Sequence, residues 1–336
     1  MLSKLYATVV ARRRAWYKQH QDSCRRLTRP VVSIGALSVG GRGKTPVTAL
    51  IAQLLYAAGE RPSILSRGYG RQDRIDGVVI VRDYKEVHAT IATAGDEPLM
   101  LAERLTGVCV LVSEDRYAAG CYAETHLNAT VHILDDGFQH FQLARDVDLL
   151  LTHADDVDQQ TLPFGRLRES PETARVADAV VVDVADLAGA QAVARSLGVT
   201  KKVFRMERTL TAPRPLPYSG VAVPIGVGTR VLAVSGIAEP VHFRETLTAA
   251  GFDVVAMFPF KDHHRFTSED VSRIATRAEG DNISWVLTTE KDAVRLAPYA
   301  PFSFPIAVVP LTVCIEPVED FSAWLLSRLD RNGDSQ

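Results

Sequence analysis

The sequence predicts an α/β fold built on a mainly parallel sheet, joined to a second, smaller α/β domain. Three observations carry this reading. Short β-rich runs alternate with helix-favouring runs along most of the 336 residues, the pattern of strands crossed over by helices. A stretch rich in proline and glycine, Thr211 to Pro224, interrupts the alternation as a connection between domains does. The length allows two cores, since single domains usually run to roughly 100–200 residues.

The chain opens on a basic arm, residues 1–29. Its first 30 positions carry Lys4, Arg12, Arg13, Arg14, Lys18, Arg25, Arg26 and Arg29 against Asp22 alone, a net +7 that leaves −9 for the rest of a chain totalling −2. Such an arm attracts anionic lipid or nucleic acid. Leu2, Leu5 and Val9 fall at helical spacing with Trp16 and Tyr17 beside the arginines, as in a helix lying in a lipid interface. The same pattern fits a basic helix packed on its own domain. No run approaches the ~18 apolar residues of a membrane span, and the apolar run Tyr6–Ala11 precedes its arginines, the reverse of a secretory signal. The expectation is a chain neither spanning nor exported. Apolar residues at 46% and charged residues at 23% are globular proportions that exclude general disorder. Cys24, Cys109, Cys121 and Cys314 are scattered, without metal-finger or disulfide-framework spacing, which points to a reducing compartment.

The first domain, residues 30–205, begins with P-V-V-S-I-G-A-L-S-V-G-G-R-G-K-T-P. Val31–Ile34 predicts a strand, and Val47–Ala58, closed by Gly59, predicts a helix. Between them, Ser38, Val39, Gly40, Gly41, Arg42 and Gly43 form a loop able to expose backbone N–H groups around a phosphate, helped by the positive end of the helix dipole. Lys44 would reach the β- and γ-phosphates and the Thr45 hydroxyl would ligate Mg²⁺. Pro46 suits a first helical turn. Ser38 stands where the common phosphate-loop pattern has glycine. The motif makes this a P-loop NTPase-type domain with ATP and Mg²⁺ as cofactors.

Ala129–Leu134 predicts another strand, ending in Asp135-Asp136-Gly137-Phe138-Gln139-His140. Carboxylates at the C-terminal end of a parallel strand face the phosphate loop, where Asp135 or Asp136 can hold magnesium. Gly95-Asp96-Glu97-Pro98 precedes a helical run, Leu99–Leu105. Asp and Glu are ordinary helix-start residues, but one could equally accept a proton from an attacking hydroxyl while the other helps ligate magnesium. Ser66-Arg67-Gly68-Tyr69-Gly70-Arg71 follows strand-like Ser63–Leu65 and offers Arg67 and Arg71 to an anionic substrate, or is a surface turn.

Residues 206–225 read as a linker and 226–330 as the smaller domain, starting at strand-like Val231–Val234. After strand-like Val254–Phe258, Phe260-Lys261-Asp262-His263-His264-Arg265 presents two histidines that orient a base, touch phosphate, or stand solvated in a loop.

Taken together, V-G-G-R-G-K-T-P, S-R-G-Y-G-R, G-D-E-P, L-D-D-G-F-Q-H, L-P-F-G-R-L-R-E, G-I-A-E-P, D-H-H and T-T-E-K-D-A-V, running from about residue 31 to 297, resemble tetraacyldisaccharide 4′-kinase. The resemblance implies transfer of the γ-phosphoryl of Mg·ATP to the 4′-hydroxyl of tetraacyldisaccharide 1-phosphate, a lipid A precursor. It implies a peripheral enzyme on the cytoplasmic face of the bacterial inner membrane, contacting anionic lipid, with no nucleic acid and no obligate protein partner. It implies Asp96 as catalytic base with His263 as its partner and Lys44 on the phosphates. Thr45, Glu97, Asp135 and Asp136 become the magnesium and supporting residues, and Arg116, His140 and Arg168 join Arg67 and Arg71 as substrate contacts. The family itself lacks the glycine at the Ser38 position. Ser170, after L-R-E, stands where the family usually has proline.

Two other readings stay open at this level. A P-loop GTPase for metal or cofactor insertion would share the loop and acidic strand ends, but its guanine motif N-K-x-D needs one residue between Lys and Asp, and Lys291 and Asp292 are adjacent. A non-catalytic nucleotide-binding membrane adaptor would have no need of the acidic cluster.

Overall fold

The computed structural model describes residues 2–220 and 224–330. The chain forms two compact units, one running to Arg208 and resuming at Val313, the other Thr209–Thr312.

The larger unit opens with helix α1 (Leu2–Gln19) and then alternates. Its strands are β1 (Val31–Ala36), β2 (Pro62–Ser66), β3 (Val79–Arg82), β4 (Cys109–Val112), β5 (Val131–Asp135), β6 (Val147–His153), β7 (Ala179–Asp183) and β8 (Lys202–Leu210). Between them run α2 (Lys44–Ala57), α3 (Ile91–Ala94), α4 (Asp96–Arg104), α5 (Arg116–Leu127) and α6 (Leu187–Ser196). The smaller unit contains β9 (Arg214–Pro215), β10 (Arg230–Ser235), β11 (Asp253–Pro259), β12 (Trp285–Thr288) and β13 (Ile306–Val308), with α7 (Pro240–Ala249), α8 (Ser268–Gly280) and α9 (Glu290–Leu296). β14 (Leu311–Glu316) and α10 (Val318–Asp330) complete the larger unit.

The large sheet has the order β14-β8-β7-β6-β1-β5-β2-β4-β3. From β8 through β4 the pairings are parallel, and β3 runs antiparallel on the edge. All six residues of β1 are buried, as befits a central parallel strand covered on both faces. β1 lies between β5 and β6, so its C-terminal end opens onto the crevice where α/β sheets bind ligands. Gly35 is required there: a Cβ on it would run into the Phe138 side chain, so its absence lets the D-D-G-F turn pack onto β1. One core layer contains Leu37, Phe138, Leu150 and Val180; the other contains Leu65, Leu111, Ala119 and Leu134.

The smaller sheet has the order β11-β10-β12-β13-β9, parallel except for the short β9. It buries Trp285 on one side and Phe266, Ile274 and Phe302 on the other. Thr267 and Asp270 cap α8 reciprocally, each side chain bonding the other's backbone N–H, which satisfies donors the helix leaves unpaired.

α1 docks through one face only. Arg14 pairs with the buried Glu169 at 2.7 Å and lies 4.5 Å over the Phe138 ring. Leu2, Leu5, Val9 and Trp16 remain exposed on the rest of its surface.

Candidate active site

The glycine-rich loop expected to bind phosphate, residues 37–43, lies between β1 and α2. Gly40 and Gly43 take φ values of 102° and 77°, a left-handed backbone that glycine adopts without steric cost. Lys44 begins α2, and Thr45 and Pro46 follow in its first turn, where a missing proline N–H is no loss. The loop's first limb is laced to the L-R-E segment: Val39 N–H donates to the Arg166 carbonyl at 2.9 Å and Arg168 N–H to the Leu37 carbonyl at 2.6 Å. Arg42, expected simply as a loop member, turns its guanidinium into the protein, where it meets the Ser38 hydroxyl and Asp156.

β5 ends on the two aspartates. Asp136 takes a φ of 54° and receives Arg168 Nη1 on both oxygens at 2.7 Å, with Lys44 Nζ 3.7 Å away. Burial opposes its ionisation, but Lys44 and Arg168 outweigh that and hold the carboxyl below its ordinary range. Asp135 is buried and accepts hydrogen bonds from Thr48 and Ser66, both at 3.3 Å. Its burial, together with the negative charges of Glu97 and Asp136, pushes it up to about 7.

That shift has a signed consequence. A carboxyl whose pKa is higher folded than unfolded adds stability that is fully present below about pH 4 and lost as pH rises through about 7. In magnesium-free buffer, melting midpoints measured between about pH 5 and about pH 8 should therefore move steadily in favour of Asp135→Asn over the native chain. A midpoint difference that stays constant with pH would discard the shifted carboxyl.

Around this centre stand the remaining large-unit candidates. Asp96 opens α4, is 6% exposed, and its Oδ1 accepts the Glu97 N–H at 2.9 Å. Gly95 precedes it with φ 86°, and a Cβ there would lie 2.7 Å from the Tyr69 carbonyl, so the S-R-G-Y-G-R turn sits directly on the start of α4. Arg116 opens α5 and is buried with its Nε making no hydrogen bond within the protein. Burial and the nearby Arg67 lower its pKa, while Asp135 and Asp136 act the other way. Arg71 reaches Glu114 at 3.8 Å. Burial, then Arg116 and Arg145, lower His140 to about 4, which leaves a neutral imidazole at neutral pH. Glu97, Asp135, Asp136, Lys44, Arg67, Arg116 and Arg168 are thus linked electrostatically, Asp96, Thr45 and His140 adjoin members of that group, and Arg71 reaches Glu114, which also acts on Arg116.

Sequence reasoning missed Thr48, Ser66 and Gln139. Thr48 was detectable: it lies one helical turn after Lys44 and so on the same face. Ser66 ends β2, next to β5 in the sheet. Gln139 bridges Arg168 at 3.3 Å and the Ala36 carbonyl at 3.1 Å.

In the smaller unit the two histidines divide. His264 is fixed, bonded to Asp270 at 2.9 Å and stacked on Phe260. His263, at φ 58°, has Lys291 Nζ 3.1 Å from its Nε2, and the same ammonium donates to Asp262 at 3.2 Å. An ammonium only donates, so Nε2 accepts and Nδ1 carries the ring proton. Lys291, the lysine of T-T-E-K-D, therefore sets the His263 tautomer, and adjacent Asp292 holds the Gly236 N–H of the G-I-A-E-P turn at 3.0 Å.

Among the described residues no three His, Cys, Asp or Glu side chains form a ready metal cage. The oxygen-rich, mutually repelling set Glu97, Asp135 and Asp136 nonetheless suits a hard cation that arrives with phosphate. Magnesium characteristically takes one or two carboxylates, substrate phosphates and water.

Against known proteins, the family description tetraacyldisaccharide-1-P 4′-kinase matches residues 1–330. The tetraacyldisaccharide 4′-kinase of Geobacter metallireducens is 39% identical over 303 residues, covering 89% of this chain and 88% of that one. Its namesake in Koribacter versatilis is 37% identical over 318 residues, covering 93% and 92%. A crystal structure of LpxK from Aquifex aeolicus in complex with ATP superposes with a TM-score of 0.76 at 31% identity, covering 98% of this chain and 97% of that one.

Proposed function

Because the chain belongs to the tetraacyldisaccharide 4′-kinase family, we propose that its glycine loop and Lys44 grip the triphosphate of Mg·ATP while Asp96 activates the sugar hydroxyl that attacks it. The chain is an ATP-dependent lipid A 4′-kinase, a phosphotransferase that phosphorylates the 4′-hydroxyl of a tetraacylated disaccharide 1-phosphate. The observation that carries the site assignment is Lys44 beside Asp136 at the mouth of a strand, glycine loop and helix. The test is transfer of labelled phosphate from ATP to a lipid A disaccharide acceptor in detergent; ADP release indifferent to acceptor would sink the proposal.

Phosphoryl transfer asks the protein for in-line positioning and charge neutralisation. Lys44 would exchange Asp136 for the β- and γ-phosphates, leaving Asp136 to Arg168. Thr45 with Glu97 and Asp135 would hold magnesium, which neutralises phosphate charge when bound, and Asp136, paired with Arg168, would support them. Arg116, buried with an unused donor, and Arg67, Arg71, Arg168 and neutral His140 would bind phosphate or the acceptor. A sugar hydroxyl is a poor nucleophile at neutral pH, so Asp96 takes its proton, and the D-H-H motif keeps His263 as the second catalytic candidate. A GTPase role is disfavoured by the broken guanine motif and by the relatives' names.

The substrate's four acyl chains leave a bilayer only at ~0.8 kcal/mol per CH₂, so we place the enzyme on the membrane, at the cytoplasmic face. No described helix is long and apolar enough to cross it. α1 supplies the contact: Leu2, Leu5 and Val9 are 56%, 60% and 57% exposed, and Lys4, Arg12 and Arg13 lie among them. Phe164, on a turn whose Thr161 hydroxyl donates to the Ser3 carbonyl, is a further exposed apolar side chain. Deleting the arm would strand buried Glu169 without Arg14, so substitution is the cleaner probe. Changing Leu2, Leu5 and Val9 to serine should cut sedimentation with anionic liposomes about tenfold or more at unchanged melting midpoint, each apolar side chain contributing of order 1 kcal/mol. Equal pelleting would dismiss α1 as the anchor.

A further inference from the structure

We infer that three arginines, Arg42 on its buried anchor Asp156, Arg208 on Asp183, and Arg166, hold the phosphate loop in its binding conformation before ATP arrives. This rests on the nucleotide reading above and adds positioning residues to it.

Arg42 sits within the loop, yet it is 4% exposed. Its Nε donates to the Ser38 hydroxyl at 2.7 Å and its Nη2 to Asp156 Oδ1 at 2.9 Å. Asp156 is fully buried, and its other oxygen accepts the Thr152 hydroxyl at 3.2 Å and the His153 N–H at 3.1 Å. The loop is thereby tied to the turn that follows β6. Arg166 Nη2 donates to the Val39 carbonyl at 3.4 Å, in space that a Cβ on Gly40 would fill. Arg208 donates to the Gly41 carbonyl at 3.3 Å while its Nε sits 2.6 Å from Asp183 Oδ2.

The physical effect is twofold. Carbonyl oxygens repel phosphate, and here two of them in a short loop are engaged by guanidinium groups instead. The loop also carries two left-handed glycines, a conformation a free glycine-rich segment visits among many others. Fixing it in advance removes an ordering cost from binding, so the braced loop binds tighter by the reciprocal of the fraction of time an unbraced one spends in the binding conformation. A buried charge pair of this kind is costly to keep for stability alone, which fits a role in setting loop geometry.

The test uses the full chain. Arg42→Lys keeps the buried positive charge opposite Asp156 but lacks the fork that reaches Ser38 and Asp156 together. The Kd for Mg·ATP, measured by equilibrium dialysis without acceptor, should rise about tenfold, with a matching rise in the KM for ATP and the KM for the lipid acceptor within about twofold. Asp156→Asn should act in the same direction. A folded Arg42→Lys chain with the native Kd would overturn the inference, as would equal weakening for both substrates, which would mark general loosening. A native chain with no affinity for Mg·ATP would instead overturn the kinase reading beneath it.

Discussion

Asp96→Asn is expected to lower kcat by about 10²-fold or more while leaving the Kd for Mg·ATP within about twofold. A positioned general base contributes roughly 10²–10⁴ in rate, and asparagine cannot take a proton. The change is otherwise conservative. Asp96 opens α4, and its Oδ1 accepts the Glu97 N–H, a bond the amide oxygen of asparagine can keep. Helix start and side-chain volume are retained, so the loss falls on chemistry and not on folding. The experiment is single-turnover phosphate transfer to the lipid acceptor, with nucleotide affinity measured separately. An unchanged turnover number removes Asp96 from the mechanism; equal losses in turnover and nucleotide affinity would move it to the nucleotide site.

Lys44→Ala should reduce kcat/KM for ATP by about 10²–10³, the usual cost of deleting one preorganised partner of transition-state charge. The fold should survive, because Asp136 keeps Arg168 on both oxygens at 2.7 Å and is not left as an orphaned buried carboxylate. Lys44→Arg should recover little, since a planar guanidinium does not fit where a compact ammonium sits 3.7 Å from Asp136 at the start of α2. Steady-state kinetics with ATP varied at saturating acceptor read the effect. Activity within threefold of native for Lys44→Ala would mean that the triphosphate binds elsewhere.

Much of the candidate site was legible because its chemistry is local. Strand, glycine loop and Lys-Thr occupy consecutive positions, and carboxylates that follow a strand lie at its end whatever the sheet order. Element edges were less visible. α2 starts at Lys44 and not Val47, and α4 at Asp96 and not Leu99, because first-turn polar residues read as loop until their helical backbone is seen. That shift places Asp96 and Glu97 on the helix itself. Of the two readings of α1, packing on its own domain is seen in Arg14, which ties it to the large unit, while the exposed Leu2, Leu5 and Val9 are what the proposed membrane contact rests on.

By itself the sequence determined an α/β chain with a glycine loop between strand and helix, acidic strand ends and a basic amphipathic arm, since each follows from neighbouring residues and backbone preference. Only the tertiary structure decided which charges meet. Arg42 pairs with Asp156 at a separation of 114 positions and Arg14 with Glu169 at 155, distances along the chain that only the folded arrangement closes. It also decided that of two adjacent aspartates one is pushed up to about 7 and the other held low. The cause is the same burial met by different neighbours: carboxylates around Asp135, and a lysine and an arginine on Asp136.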